Sequence, residues 1–136
     1  MDINIYYATQ LDIAEIMTID RHLSKETYRK AIDEKRVLIV RNKHQIIGLL
    51  RFGYFWDVIP MINMIHFIDS FQRKGFGTIV HAFFEDVMKK KGYQKLMTTT
   101  QKDEEGQHFF RKIGYKDAGF FSYPDQADEL ILFKDI

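Results

Sequence analysis

The 136-residue sequence has no cysteine, only two prolines and almost no excess of charge of either sign. Without cysteine there is no disulfide, no thiolate metal site and no cysteine nucleophile. Twenty basic residues against 19 acidic ones leave a net charge of +1, so no global field draws the chain to nucleic acid or a membrane surface. Long apolar runs are missing as well. The longest uncharged stretch, Val58 to Ile68, has 11 residues and is broken by Pro60, Asn63 and His66. A helix across a bilayer needs roughly 20 apolar residues. The start, Met1-Asp2-Ile3-Asn4, lacks the basic segment of a secretory leader. No linker rich in Pro, Gly or Ser and no repeat of fixed period breaks the sequence. The expectation is one soluble, cytoplasmic domain over residues 1–136, with no nucleic-acid, membrane or metal partner.

What is present suffices for a core. Apolar residues make up 46% of the chain and 12 residues are phenylalanine, at a length where about two-thirds of the unfolded surface is buried on folding. Alternation over residues 3–8 predicts a strand. Thr9-Gln10-Leu11-Asp12 reads as a capping box opening a helix that carries Ile13, Ile16, Met17 and Asp20. Ser24 is the expected cap of a second helix with Tyr28 and Ile32 on it. Residues 36–41 read as a strand, 42–45 as a turn, and 46–56 as a strand whose even positions, from Ile46 to Trp56, are almost wholly apolar. Residues 61–68 are apolar on both faces, as a central strand is, with Pro60 at its start. The strongest helix is 75–91. Ile79, Val80, Phe83, Phe84, Val87 and Met88 fall on one continuous face, Lys89, Lys90 and Lys91 suit its C-terminal dipole, and Gly92 terminates it. A strand over 96–100, a helix over 104–113 capped by Asp103, and strands over 115–122 and 129–134 complete the chain. The order is β-α-α-β-β-β-α-β-α-β-β, which makes a mixed α/β fold: about seven strands in a mostly antiparallel sheet flanked by four helices.

The segment richest in chemistry is Gln72-Arg73-Lys74-Gly75-Phe76-Gly77-Thr78, between the central strand and the strongest helix. Two glycines one residue apart permit a tight turn and close backbone approach. Amide N–H groups at a helix start, with the dipole behind them, form a seat for phosphate oxygens, and Arg73 and Lys74 add positive charge. The segment lacks the lysine-containing Walker pattern and the third glycine of the dinucleotide fingerprint. An ordinary strand-to-helix turn with solvated basic residues is the competing reading of the same residues.

Residues 62–134 resemble the GNAT N-acetyltransferase superfamily. Its loop pattern Q/R-x-x-G-x-G/A is Gln72 to Gly77 here. A second pattern, N-x-x-A-x-x-F-Y-x-K-x-G-F, aligns with Asp103, Gly106, Phe109, Phe110, Lys112, Gly114 and Tyr115, with Asp103 in place of its Asn and Gly106 in place of its Ala, and the element order matches along the whole chain. The resemblance implies transfer of an acetyl group from acetyl-CoA to a primary amine, on a small molecule or a protein, by direct attack in a ternary complex. It places the diphosphate on the amides from Arg73 to Thr78, the pantetheine arm along Ile65, His66 and Phe67, and further cofactor contacts at Gln72, Asp103 and Phe110. A backbone N–H there would polarise the thioester carbonyl. The lack of cysteine fits a mechanism with no acyl-cysteine intermediate.

The pattern also departs from the family. Its helix tyrosine, which protonates the leaving thiolate in many members, is Phe110, and no carboxylate lies in 61–68 or 96–100. His66 is the candidate base, and a buried histidine bonded to a neighbouring strand is the competing reading. Tyr115 is expected to pack as an aromatic. Thr98, Thr99 and Thr100 could hold a water chain or serve simply as strand formers. His108 is expected on the exposed side of its helix. Tyr54 and Trp56 are candidates to line the acceptor pocket, against core or dimer contact, and Asp57 reads as a solvated turn acid. Phe120 and Phe121 could form an exposed patch in a homodimer, with core packing as the competing reading. Two alternatives follow: a family member that binds acyl-CoA as a sensor or interaction module with little catalysis, and a nucleic-acid binder using Arg73, Lys74 and Lys89 to Lys91, which the +1 net charge opposes.

Overall fold

Alternating and helical periodicities resolve, in a computed structural model that describes residues 2–136, into seven strands and four helices. In chain order these are β1 (Ile3–Tyr7), α1 (Ile13–Ile19), α2 (Lys25–Asp33), β2 (Val37–Asn42), β3 (Gln45–Phe55), β4 (Ile59–Phe67), α3 (Phe76–Lys90), β5 (Lys95–Gln101), α4 (Gly106–Lys112), β6 (Lys116–Phe121) and β7 (Glu129–Asp135). The hydrogen-bonded order across the sheet is β1-β2-β3-β4-β5-β7-β6. The β4–β5 pair is parallel, and β1–β2, β2–β3, β5–β7 and β6–β7 are antiparallel. Among the described residues no helix is long and apolar enough to cross a membrane.

The chain forms two compact units. The first runs to Phe52 and resumes over Met64–Phe84; the second holds Gly53–Asn63 and Glu85–Ile136. In the first unit Ile13 and Ile16 of α1, Tyr28, Ala31 and Ile32 of α2, Val37 and Ile39 of β2, and Ile46 and Leu49 of β3 form one buried cluster. Every residue of β3 from Ile46 to Phe52 is buried, so both faces of this strand are covered, and Arg51 goes inside with them. Phe52 meets Phe84 of α3 with ring centroids 4.8 Å apart. In the second unit Leu96 and Met97 of β5, Leu132 of β7, and Phe110 and Tyr115 around α4 are buried.

Local signals hold at several ends. Thr9 and Asp12 form the capping box, although the first turn is 3-10 and α1 starts at Ile13. The Ser24 side chain accepts the Thr27 amide and caps α2. At the end of α3, Tyr93 N–H donates to Met88 O and Gly92 N–H to Lys89 O, the paired bonds of a Schellman stop.

Three expectations need correction. Asp103 does not cap α4. The helix begins at Gly106, and Asp103 sits in an exposed turn whose neighbour Lys102 donates its N–H to Asp128 O at 2.8 Å. That tertiary bond holds Lys102 in the connection, and Glu104 and Glu105 precede the helix. Trp56 does not end β3. It lies past the strand in a two-residue turn with Asp57, at φ +54 and +63, closed by Val58 N–H to Phe55 O at 3.1 Å, the geometry that suits a tight hairpin. Finally, the apolar face of α3 splits: Phe76, Val80, Phe84 and Met88 are buried, while Ile79 and Phe83 are exposed. Phe120 and Phe121, on the fully exposed β6, are the surface patch the sequence suggested.

Candidate acyl-carrier site

The site is built from the end of β4 and the turn that follows it, all within the first unit. Ile65 and His66 are half-buried and Phe67 is buried. Gly48 of β3 lies directly against Phe67: a Cβ on Gly48 would come within 2.3 Å of the ring. Only glycine lets the two strands carry Phe67 there. Phe67 stacks in turn on Phe76, the first residue of α3, at 6.0 Å, and Phe76 meets Phe71 at 6.0 Å. These aromatic contacts fix the start of α3 against the end of β4.

Between them the chain makes a 3-10 turn over Asp69–Phe71. The Gln72 side chain then reaches back, donating to Phe67 O at 2.8 Å and more weakly to Asp69 Oδ1 at 3.4 Å. Gln72 therefore shapes the turn. Arg73 is left-handed at φ +59 and Gly75 at φ +85. A left-handed residue with a side chain is strained, and at Gly75 the lack of one removes that cost. The first bond of α3 runs from Ile79 N–H to Gly75 O at 3.3 Å. The amides of Phe76, Gly77 and Thr78 thus have no partner within the helix, at the positive end of a 15-residue dipole. Arg73, Lys74, Gly75 and Thr78 are exposed, and the Lys74 ammonium lies 5.7 Å from the Phe71 ring centre. Such a turn offers amide donors and two cations to an anionic group.

His66 departs from the buried, hydrogen-bonded alternative. It is half-buried, and among the described residues its ring has no hydrogen-bond partner. Asp103 and Phe110 belong to the second unit. Phe110 is buried and meets Phe109 and Tyr115 edge-on at 5.2 and 5.1 Å. Burial, and then the Glu85 carboxylate, push the Tyr115 hydroxyl well above its ordinary pKa, so it stays protonated within this aromatic packing. The Thr98 hydroxyl donates to Ile62 O at 3.0 Å, at the Ile62–Thr98 pair between β4 and β5; it serves the sheet. His108 is exposed, as expected. Of the two acceptor-side candidates, Tyr54 packs 5.8 Å from Tyr93 and Trp56 is 74% exposed at its turn.

One polar cluster in the first unit has no counterpart in the sequence reading. Asp20, at the end of α1, is 1% exposed. Its Oδ2 accepts the Tyr28 hydroxyl and lies 3.4 Å from Arg51 Nε. Its Oδ1 accepts the His22 amide at 3.0 Å and lies 2.7 Å from His22 Nδ1. Burial pushes the Asp20 carboxyl up, and the bonds from Tyr28 and His22 with the Arg51 charge outweigh it, holding the group below its ordinary range. Burial, then the bond to Asp20, raises Tyr28 well above its own. The spacing Asp20-Arg21-His22 was visible in the sequence; that Asp20 is buried depends on Tyr28 and Arg51, from two other elements, and was not.

The acetyltransferase (GNAT) family model matches residues 7–115. No curated protein matches the sequence significantly. Among solved structures, the chain is similar to the PaiA N-acetyltransferase from Thermoplasma acidophilum in complex with coenzyme A, at 16% identity and TM-score 0.87 over 100% of both chains. A GNAT-family acetyltransferase from Bacillus cereus gives 22% identity and TM-score 0.81 over 99% of this chain and 98% of the other. One from Elizabethkingia anophelis with acetyl-CoA bound gives 21% and 0.77 over 98% of each. At these identities the likenesses concern the fold: a mixed α/β arrangement with a seven-strand, mostly antiparallel sheet and four helices. The family rests on the sequence model, which spans most of the chain and takes in β4, the turn and α3: the protein belongs to the GNAT acetyltransferase family.

Proposed function

We propose that the protein transfers the acetyl group of acetyl-CoA to a primary amine by direct attack in a ternary complex. The observation that carries this reading is the turn from Gln72 to Thr78. Its side-chain clamp on Phe67 O, the left-handed Gly75 and the three amides opening α3 suit a diphosphate flanked by Arg73 and Lys74. The solved relatives that hold coenzyme A or acetyl-CoA support that choice of ligand. The pantetheine arm would follow the edge of β4 at Ile65, His66 and Phe67, and a backbone N–H of that strand would stabilise the oxyanion. The chain's own part is to bind and orient the thioester. A thiolate is a tolerable leaving group at neutral pH, so transfer can proceed with Phe110 in place of an acid.

The test is thiol release from acetyl-CoA by the purified protein with a panel of primary amines, after binding has been established by calorimetry. Amine-dependent release supports transfer. Binding with no release by any amine favours the acyl-CoA-binding module, the reading that Phe110 and the lack of a carboxylate on β4 and β5 recommend.

A further inference from the structure

Direct attack needs a free amine, and an alkylamine is protonated at neutral pH. Neither β4 nor β5 carries a carboxylate to remove that proton, and Phe110 has no ionisable group. A histidine already held by a buried carboxylate is His22, in the connection between α1 and α2. Asp20 is ionised at neutral pH, since its partners hold it below the ordinary carboxylate range. An ionised oxygen 2.7 Å from His22 Nδ1 requires a proton on that nitrogen, because two lone pairs cannot face each other there. The neutral imidazole is thereby fixed with Nε2 as its free acceptor.

The His22 side chain is 74% exposed, so it adds little to packing; Asp20 is already held by Tyr28 and by Arg51. What a histidine adds at this position is a protonatable nitrogen turned to solvent. The cluster is tied to the strand that leads into the cofactor turn. Arg51 Nη2 reaches Met64 Sδ at 4.0 Å, two residues before His66 on β4. The charged and titratable groups of the cluster are Asp20 from the end of α1, Tyr28 from α2 and Arg51 from β3.

We propose that His22 is the base that deprotonates the acceptor, with Asp20 as its positioning residue; the assignment rests on the acetyl-transfer reading. His22 Nε2 takes one proton from R–NH3+. The freed nitrogen lone pair forms the C–N bond at the thioester carbonyl carbon, and the C–S bond breaks with its electron pair on sulfur. A second proton leaves the nitrogen as the amide forms and ends on sulfur as CoA–SH, and the imidazolium returns its proton to solvent.

Two measurements test this. Long-range proton–nitrogen NMR of the protein without ligand reads the tautomer: neutral His22 protonated on Nδ1 is expected, and protonation on Nε2 overturns the assignment. Thiol release at saturating acetyl-CoA, with n-butylamine as the probe acceptor, reads the role. His22→Gln, at an exposed position, should keep its melting temperature and its acetyl-CoA affinity, lose about 100-fold in kcat and lose the acid limb of the pH profile. Asp20→Asn should lower kcat more than it changes KM for the amine. His22→Gln with wild-type rate and profile overturns the proposal, as does an acid limb abolished by His66→Gln and untouched by His22→Gln. Wild-type protein that binds acetyl-CoA and releases no thiol with the amine overturns it too. Failure to bind acetyl-CoA, read separately by calorimetry, removes the transfer reading itself.

Discussion

Gly75 separates two requirements that act on one atom. Its φ of +85 makes any side chain costly, and a Cβ there would meet nothing within 4 Å. Gly75→Ala and Gly75→Glu should therefore each lose about 1–2 kcal/mol of stability through the backbone alone. Only the glutamate should lower acetyl-CoA affinity sharply, by tenfold or more, since a like charge set against the diphosphate costs several kcal/mol. Melting curves and calorimetry on the pair separate strain from charge. Asp20 gives a second prediction. Its folded pKa is depressed, so the stability it contributes is full above its unfolded pKa of about 4 and is lost as pH falls through the folded value. Asp20→Asn leaves Arg51 without its buried partner and should cost about 3 kcal/mol at pH 7. The gap to wild type should close below about pH 4; a gap that is constant with pH would contradict the ion-pair account.

At the scale of elements, the turn from Gln72 to Thr78 depends on a contact one strand away. Gly48→Ala would drive a methyl into Phe67, whose ring sets the start of α3 and whose carbonyl anchors Gln72. A loss of about 1–3 kcal/mol is expected from the overpacking, together with weaker acetyl-CoA binding, although residue 48 is outside the turn. Unchanged affinity in the folded variant would mean that the turn is set independently of β3. Elements were largely legible where the signal was local: the Thr9 and Ser24 caps, the Gly92 stop and the length of α3 all follow from residues within a few positions. They were illegible where a distant group decided. On α3 two adjacent stripes are equally apolar, and the neighbouring packing buries Phe76, Val80, Phe84 and Met88 but leaves Ile79 and Phe83 outside. Asp103 is a good cap by composition, yet the bond from Lys102 to Asp128 O and the turn closed by Glu104 N–H to Gln101 O occupy this segment, and α4 starts only at Gly106.

For the whole molecule, the fold and the turn from Gln72 to Thr78 were readable because a glycine pattern between a central strand and an amphipathic helix admits few geometries. The buried Asp20 cluster was not, because burying Asp20 takes Tyr28 and Arg51 from separate elements. Ligand binding should register globally: acetyl-CoA at about 100 times its Kd stabilises a protein by about 2.7 kcal/mol, so the melting temperature should rise by several degrees, and by less in Gly75→Glu. The central claim, that the turn from Gln72 to Thr78 seats the diphosphate of acetyl-CoA, is tested most directly by calorimetric titration of the purified protein with acetyl-CoA, with NADH as the control dinucleotide. The account predicts saturable one-site binding of acetyl-CoA, lost in Gly75→Glu, and none of NADH. No binding of acetyl-CoA by folded wild-type protein, or equal binding by wild type and Gly75→Glu, would contradict it.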